Sequence, residues 1–323
     1  MKYKERNKNF SHISVVIQGP VSCYQGREQN GGITQKCIES VRKYLPGSIV
    51  ILSTWKGQDC DGLDPDILLL NEDPGGNIVA YNKDGEAQYL NYNRQIISTL
   101  SGLKRVKTPY VIKIRSDNFL TNNSFVYEQQ KYKKRIIDNI FFDERVVVNT
   151  SYFRLFADGH KVIMHPSDFF HYGLTTDVMK IWDIPLFDDI VFDDTNKGTI
   201  QHPWAPNISL HAEQVYCQRW LNILDSESPI LTHRYDASNE LIDYWFRFIA
   251  SNFIVLEPEQ IGLGLINRFV SKIKRPNEIS FFDWLFIYKK YCDNTIYIPY
   301  FKYLFHVGIH RWVKMKIKKL IKR

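Results

Sequence analysis

Three ionisable side chains occupy every second position of one otherwise apolar segment of the sequence. Lys113, Arg115 and Asp117 lie in the run of residues 111–118, and alternate residues of a β-strand share one face. Removing an ionised group from water is costly unless the group is paired or binds a ligand. The spacing therefore indicates either a ligand-binding site or a structural ion pair of Arg115 or Lys113 with Asp117, and both interpretations stay open.

Alternating strand-like and helix-like segments must position these side chains. They follow one another from residue 13 to residue 116, with a loop rich in Asp, Gly and Pro that extends to Gly76. The predicted elements are strands at 13–17, 48–53 and 110–116 and helices at 34–44 and 90–103, with Thr34 as a possible N-cap. This alternation predicts an α/β fold with a doubly wound, mainly parallel sheet.

The second half of the chain has a less regular pattern. The predicted strands are 146–153, 157–164, 168–175 and 252–256, and the predicted helices are 212–224, 241–249 and 280–291. Helical and basic segments dominate after Glu257 and Pro258. We therefore predict a domain over residues 1–256 and a C-terminal helical region over residues 257–323.

Polar residues follow three of the predicted strands, at the ends where ligands bind in open parallel sheets. They are Gln18-Gly19-Pro20, Ser53-Thr54-Trp55 and Arg115-Ser116-Asp117-Asn118. Gly19 would let a ligand approach the backbone, and Trp55 would stack on a base. A plain turn at Gly19 and Pro20 and a core position for Trp55 are the alternatives.

Motifs of several other enzyme classes are absent from the sequence. No G-x-G-x-x-G follows the first strand, and neither G-x-x-x-x-G-K-[ST], H-E-x-x-H nor G-x-S-x-G occurs. Dinucleotide oxidoreduction, P-loop phosphoryl transfer, zinc proteolysis and serine hydrolysis therefore lack sequence support. The five cysteines form no C-x-x-C pair, which favours a reducing, cytoplasmic setting.

An ordered set of short motifs resembles the WavE lipopolysaccharide-synthesis family. The motifs are Val-Val-Ile-Gln-Gly-Pro (15–20), Leu-Pro-Gly (45–47), Ile-Leu-Ser-Thr-Trp (51–55), Asn-Arg-Gln (93–95), Lys-Ile-Arg-Ser-Asp (113–117), Pro-Ser-Asp (166–168) and Ala-Glu-Gln (212–214). The resemblance implies a glycosyltransferase of bacterial surface-polysaccharide assembly, with a layout similar to GT-A nucleotide-sugar transferases. It implies a donor pocket formed by Gln18, Gly19, Pro20, Ser53, Thr54, Trp55, Asn93, Arg94, Lys113, Arg115 and Asp117.

One position departs from the GT-A pattern. Arg115 occupies the place of the first aspartate in the Asp-x-Asp that holds metal and diphosphate in that group. Asp117 and Asn118 would then be the only local ligands for Mn²⁺ or Mg²⁺. Alternatively, Arg115 itself neutralises the donor diphosphate by paired hydrogen bonds and makes the ion dispensable.

Inverting glycosyl transfer needs a carboxylate that takes the proton of the acceptor hydroxyl. The resemblance implies Glu213 for this role, at the start of a predicted helix. A glutamate that only stabilises the first helical turn is the alternative. Asp168 is the second candidate, since aromatic residues suited to a sugar platform or to core packing follow it.

The net charge of +7 resides in the C-terminal tail. Seven basic residues and no acid lie in residues 311–323, whereas the remainder has 35 of each sign. The tail predicts a basic amphipathic helix, with Arg311, Lys314, Lys318 and Lys322 on one side, that adsorbs to an anionic membrane surface. A solvated helix packed on the body is the alternative, and nucleic acid is the least favoured partner.

These observations predict a cytoplasmic protein, peripheral on the cytoplasmic face of the inner membrane. No apolar run near the N-terminus resembles a secretion signal, and none approaches the roughly 18 residues of a membrane-spanning helix. We expect a nucleotide-sugar donor and a lipid-linked saccharide acceptor. A non-catalytic sugar- or nucleotide-binding module of a polysaccharide assembly complex is the competing hypothesis, and a phosphate-ester hydrolase is more distant.

Overall fold

The computed structural model describes residues 9–24, 29–194, 197, 210–270 and 275–321. The strands of this part are β1 (Ile13–Gln18), β2 (Ile49–Trp55), β3 (Ile67–Asn71), β4 (Asn77–Tyr81), β5 (Ala87–Leu90), β6 (Tyr110–Arg115), β7 (Asn118–Leu120), β8 (Val146–Asn149), β9 (Phe156–Ala157), β10 (His160–Lys161), β11 (Phe170–Leu174), β12 (Phe253–Leu256) and β13 (Leu263–Leu265).

Helices of very different length connect these strands. They are α1 (Ile33–Tyr44), α2 (Tyr92–Leu103), α3 (Phe125–Glu128), α4 (Thr175–Trp182), α5 (Ala212–Leu224), α6 (Asn239–Asn252), α7 (Pro258–Ile261), α8 (Asn267–Val270), α9 (Phe281–Tyr291), α10 (Tyr300–Tyr303) and α11 (Ile309–Ile321). A π-helical turn, Leu304–Gly308, joins the last two.

Seven of the described strands form one mixed, mostly parallel sheet in the order β12-β8-β11-β6-β1-β2-β3. Strands β6, β1, β2 and β3 run parallel, and β12 runs parallel to β8. Only β11, among these seven described strands, is antiparallel to its neighbours β6 and β8. The fold is therefore α/β, as predicted, with one reversed strand inside the sheet.

The central strand β1 is apolar because protein covers both of its faces. All six of its residues are buried. Helix α2 packs so closely on one face that a Cβ at Gly102 would lie 2.3 Å from Cγ1 of Val16. The absence of a side chain at Gly102 thus sets how near α2 lies to the sheet.

Several predicted elements were wrong in their bounds or nature. The loop predicted up to Gly76 contains β3, an edge strand of the main sheet. Of the strand predicted over 157–164, only Ala157, His160 and Lys161 are in strands, in the two-residue pairing of β9 with β10. Thr34 is not an N-cap, because Gly32 occupies that position and the Thr34 hydroxyl donates to the Ser116 carbonyl at 3.2 Å. The helix predicted over 212–224 has those bounds.

The division into two domains at residue 256 stays a prediction, and contacts between the two parts cross it. Strand β13 pairs with β7, and the Trp284 indole donates to the Phe253 carbonyl at 3.1 Å. Among the described helices, none combines the length and apolarity required to cross a membrane.

The terminal helix α11 is present as predicted, but its orientation differs from the predicted one. Arg311 forms a bidentate pair with Asp283, at 2.6 and 2.9 Å, and Lys314 Nζ donates to Asn277 Oδ1 at 3.0 Å. These two basic side chains therefore hold the helix to the body and do not form an exposed cationic face. The side chains of Lys318 and Lys322 lie outside the described part.

Candidate functional site

A cleft of about 450 Å³ opens at the carboxyl ends of β1, β2 and β6. The chain leaves β1 toward β2 on one side and reaches β6 on the other, so the cleft lies where the strand order reverses, the usual ligand position in such sheets. Its lining residues are Gln18, Gly19, Pro20, Tyr24, Trp55, Tyr89, Asn91, Arg94, Gln95, Ser98 and Arg115.

The end of β1 forms a compact wall of this cleft. Gly19 has a φ of +116°, and a Cβ there would lie 3.0 Å from the Ser116 hydroxyl oxygen. That hydroxyl donates to the Pro20 carbonyl at 2.6 Å. Gln18 Oε1 lies 2.8 Å from the Ser98 hydroxyl of α2. Glycine is therefore required at position 19 both by its backbone conformation and by the close contact with the loop after β6.

Arg115 forms the floor between this cleft and a buried carboxylate. Its Nε and Nη2 atoms each donate to Asp117 at 2.9 Å, and its guanidinium carbon lies 4.9 and 5.0 Å from the ring centres of Phe169 and Phe269. Arg268 Nη2 also donates to Asp117 Oδ2, at 2.6 Å. The ion pair foreseen as the structural alternative is present, and Arg115 nevertheless lines the cleft.

The donor set around Asp117 does not fit a divalent cation. Both carboxylate oxygens accept from guanidinium groups, and the side chain is fully buried. Across the described residues, no group of three or more His, Cys, Asp or Glu side chains is placed to hold a metal ion. Oxygen ligands with open coordination positions would be needed for Mg²⁺ or Mn²⁺.

Arg94 is a second arginine in the wall, presented by the first turn of α2. It forms a bidentate pair with Asp73, with both distances 2.7 Å, and its Nη1 donates to Asn91 Oδ1 at 2.8 Å. The Tyr24 hydroxyl also donates to Asp73 Oδ2, at 3.0 Å. These contacts fix the guanidinium and the Tyr24 ring at the mouth of the cleft.

Asp168 connects the cleft to a smaller recess. Gln95 Nε2 donates to its carboxylate, Arg115 Nη1 lies 3.8 Å from Oδ2, and Lys113 Nζ donates to its backbone carbonyl. Burial would raise the pKa of Asp168, but the charges of Lys113 and Arg115 outweigh it and lower the pKa. Asp168 is therefore ionised at neutral pH. Burial also lowers the pKa of Lys113 to about 7.

Glu213, in the first turn of α5, faces Asp168 across that recess. Its side chain is 24% exposed. Burial and then the negative charge of Asp168 raise the pKa of Glu213 to about 7. Two neighbouring carboxyl groups whose environments separate their pKa values in this way are typical of acid–base sites.

A buried histidine adjoins Glu213. His165 Nε2 lies 3.3 Å from Glu213 Oε2, and neither ring nitrogen has a hydrogen-bonding partner within the described part of the chain. Burial holds the pKa of His165 well below its ordinary value, so the ring is neutral. A neutral imidazole does not lower the pKa of the carboxyl group as an imidazolium would.

The structure brings only part of the predicted donor set into the cleft. Gln18, Gly19, Pro20, Trp55, Arg94 and Arg115 line it. The others lie in the protein interior or face away: Ser53 and Thr54 are buried in β2, Asn93 binds the Phe187 backbone through both amide atoms, and Lys113 and Asp117 lie below the floor.

Sequence reasoning missed several residues of the site. Gln95 ends the Asn-Arg-Gln motif, and Ser98 lies four residues after Arg94 on α2, so helical spacing could have indicated both. Arg268 reaches Asp117 across 151 residues of sequence. No pattern in the sequence signals that contact, nor the placement of His165 beside Glu213.

The profile of the protein family described as WavE lipopolysaccharide synthesis matches residues 13–317. No curated protein matches significantly. Among solved structures, the crystal structure of HddC from Yersinia pseudotuberculosis is similar at a TM-score of 0.31 and 11% identity, over 56% of this chain and 83% of that chain.

Proposed function

The chain belongs to the WavE lipopolysaccharide synthesis family, and from this premise we propose that it is an inverting glycosyltransferase. It would move a sugar from a nucleotide-sugar donor to a lipopolysaccharide or capsule intermediate. The observation that carries the proposal is the junction between the two recesses. Gln95 and Arg115 line the cleft and both face the Asp168 carboxylate, while Asp168 and Glu213 line the smaller recess.

The cleft would hold the nucleotide diphosphate, as in GT-A enzymes. Its volume of about 450 Å³ is within the usual range of ligand pockets. Tyr24 and Tyr89 would offer ring surfaces to a base. Trp55 is only 2% exposed, so it occupies the core position named as its alternative and offers no ring face to a ligand. Arg115 Nη1 is not used for Asp117 and would donate to the diphosphate. The donor charge is then met by a guanidinium, and no step needs a divalent cation.

Glu213 would act as the general base of the transfer. The acceptor oxygen forms a bond to the anomeric carbon as the bond from that carbon to the diphosphate oxygen breaks, and Glu213 takes the acceptor proton. A base with a pKa of about 7 is matched to this task near neutral pH. Asp168 is a positioning residue in this scheme, since its charge keeps Glu213 basic.

The acceptor would be attached to a lipid at the cytoplasmic face of the membrane, where such intermediates would meet a nucleotide sugar.

The competing function is a non-catalytic nucleotide- or sugar-binding module. One observation favours it, because both cleft arginines are already paired with aspartates. Such a module would bind nucleotide saturably without turnover.

Nucleotide release from activated sugars separates these functions. We expect the wild-type protein to release nucleotide from one of a panel of UDP-, GDP-, CMP- and dTDP-sugars, with water in the place of the acceptor hydroxyl and the free sugar as the second product. Glu213→Gln should lower turnover by about 10²- to 10⁴-fold while nucleotide binding is retained. Glu227→Gln, an exposed position beyond α5, is the matched control and should turn over normally. Normal turnover by Glu213→Gln would remove Glu213 from the mechanism, and binding without turnover by the wild type would favour the module.

A further inference from the structure

The C-terminal helices present an exposed apolar surface, which we name the aromatic face: Phe301, Phe305, Ile309, Trp312 and Val313. Phe301, Phe305 and Trp312 are 77%, 72% and 64% exposed. The spacing of these residues is that of one side of a helix. Water is an unfavourable environment for so many adjoining rings, and an exposed patch of this kind marks a surface that another phase or molecule covers.

The opposite side of the same segment is attached to the body. Arg311 pairs with Asp283 and also donates to the carbonyls of Pro276 and Glu278, at 3.1 and 2.8 Å. Val307 is buried. These contacts fix the rotation of the helix about its axis. The aromatic face must therefore point away from the body, as its exposure shows.

The segment that carries the aromatic face has charges of one sign. Residues 294–323 contain eight Lys and Arg residues and no Asp or Glu. Lys302 and Lys316 are exposed on the same segment, and Lys302 lines a shallow surface recess with Phe301 and Phe305. Aromatic rings at the headgroup level with exposed lysines on the same segment are typical of helices that lie in the interface of an anionic bilayer.

We propose that the aromatic face inserts into the interface of an anionic phospholipid bilayer, with the lysines at the headgroups. The surface that contacts lipid is thus the aromatic side of the segment, while Arg311 and Lys314 anchor it to the protein. Membrane contact through this surface requires no catalytic residue, so it does not depend on the proposed reaction.

The attachment lies on the side of the sheet that holds the carboxyl ends of β6 and β1, the side on which the cleft opens, with β8 and β11 between β12 and β6. His306 Nε2 is 3.8 Å from Glu257 Oε1, and Glu257 directly follows β12. Strand β12 runs parallel to β8, and β8 runs in the direction of β6 because β11 between them is antiparallel to both. The attachment of the segment and the mouth of the cleft therefore lie on the same side of the sheet.

Vesicle co-sedimentation of the full chain tests the proposal. We expect binding to vesicles that contain phosphatidylglycerol and weaker binding to phosphatidylcholine alone. Phe305→Ser with Trp312→Ser should lower the affinity by at least about tenfold for each ring withdrawn from the interface. Ile137→Ser, an exposed apolar residue at 85% exposure far along the chain from this segment, is the matched control and should bind as the wild type does.

Two results would overturn the proposal. The first is equal vesicle binding by the wild type and the double variant. The second is a wild-type dimer, seen by light scattering, that the double variant abolishes while neither protein binds vesicles, since a second copy would then cover the face. Nucleotide release from a soluble sugar substrate is measured in parallel and should be unchanged in the double variant, so a failure of the docking surface is distinguishable from a failure of the proposed reaction.

Discussion

Two buried Arg–Asp pairs have the same chemistry and different surroundings. Arg115 binds Asp117 at the floor of the cleft, and Arg311 binds Asp283 beneath the terminal helix, each through two hydrogen bonds. Every guanidinium nitrogen of Arg311 donates to a protein oxygen. Arg115 instead keeps Nη1 beside the cleft and within 3.8 Å of Asp168.

The partners of the two aspartates differ as well. Asp117 accepts from a second arginine, Arg268, whereas Asp283 caps its own helix by accepting from Ser280. Two guanidinium groups therefore share Asp117, whereas Arg311 and Asp283 form a pair of one cation with one anion. The pair itself does not distinguish a site from a structural contact. A site is distinguished by donor atoms that remain available for a ligand and by an open volume beside them.

The largest expected effect is the loss of folding stability when the Arg311–Asp283 pair is broken. Arg311→Ala leaves Asp283 buried without a cation and should lower the free energy of unfolding by about 3–5 kcal/mol. Urea unfolding measures this. Arg247→Ala, at the exposed pair with Asp243, is the control and should cost about 0.2–1 kcal/mol. Nucleotide affinity should be unchanged in the folded fraction of both variants.

The comparison would be contradicted if Arg311→Ala affected nucleotide binding and not stability. Unaltered unfolding of Arg311→Ala, or a loss of nucleotide affinity at wild-type stability, would show that the two pairs do not differ as described.

The next effect is the pH dependence of the site. Glu213 must be deprotonated to act as a base, so kcat/KM should fall about tenfold for each pH unit below 7 and level off above it. Arg311→Ala should show the same profile. A level profile from pH 5 to 8 would contradict the assignment of Glu213.

The pH dependence of unfolding gives an independent test of the raised pKa of Glu213. Because burial and Asp168 raise the pKa of Glu213 in the folded protein, its contribution to stability is present below its unfolded pKa and is lost as the pH rises to about 7. Glu213→Gln should therefore gain melting temperature relative to the wild type as the pH increases through this range. A constant difference would contradict the raised pKa.

The sequence was informative where one local pattern decides the structure. The short, mainly apolar runs correctly predicted β1, β2 and β6 as central strands, and the residues at their carboxyl ends included Gln18, Gly19 and Arg115 of the cleft. The sequence did not show which of two consecutive helical residues faces the cleft. Asn93 and Arg94 are adjacent on α2, but successive helical side chains point about 100° apart, so one binds the Phe187 backbone and the other reaches the cleft.

Long-range packing decides what the local patterns leave open. The reversed direction of β11 depends on its neighbours in the sheet and not on its composition. The orientation of α11 follows from Asp283, which lies 28 residues before Arg311. Amphipathic spacing correctly predicted a helix there, but it gave no information on which side the body would cover.

Nucleotide binding in the absence of metal tests the central claim most directly. Melting temperatures of the wild type and Arg115→Lys are measured with UDP, GDP, CMP and dTDP in a buffer that contains a chelator. Ligand at 100 times its dissociation constant should stabilise the wild type by about 2.7 kcal/mol. Arg115→Lys keeps a cation beside Asp117 but loses the planar fork, and should weaken binding by about tenfold. Our account predicts a selective response to one nucleotide that Arg115→Lys diminishes. No response, a response only after Mn²⁺ or Mg²⁺ is added, or an equal response of both proteins would contradict it.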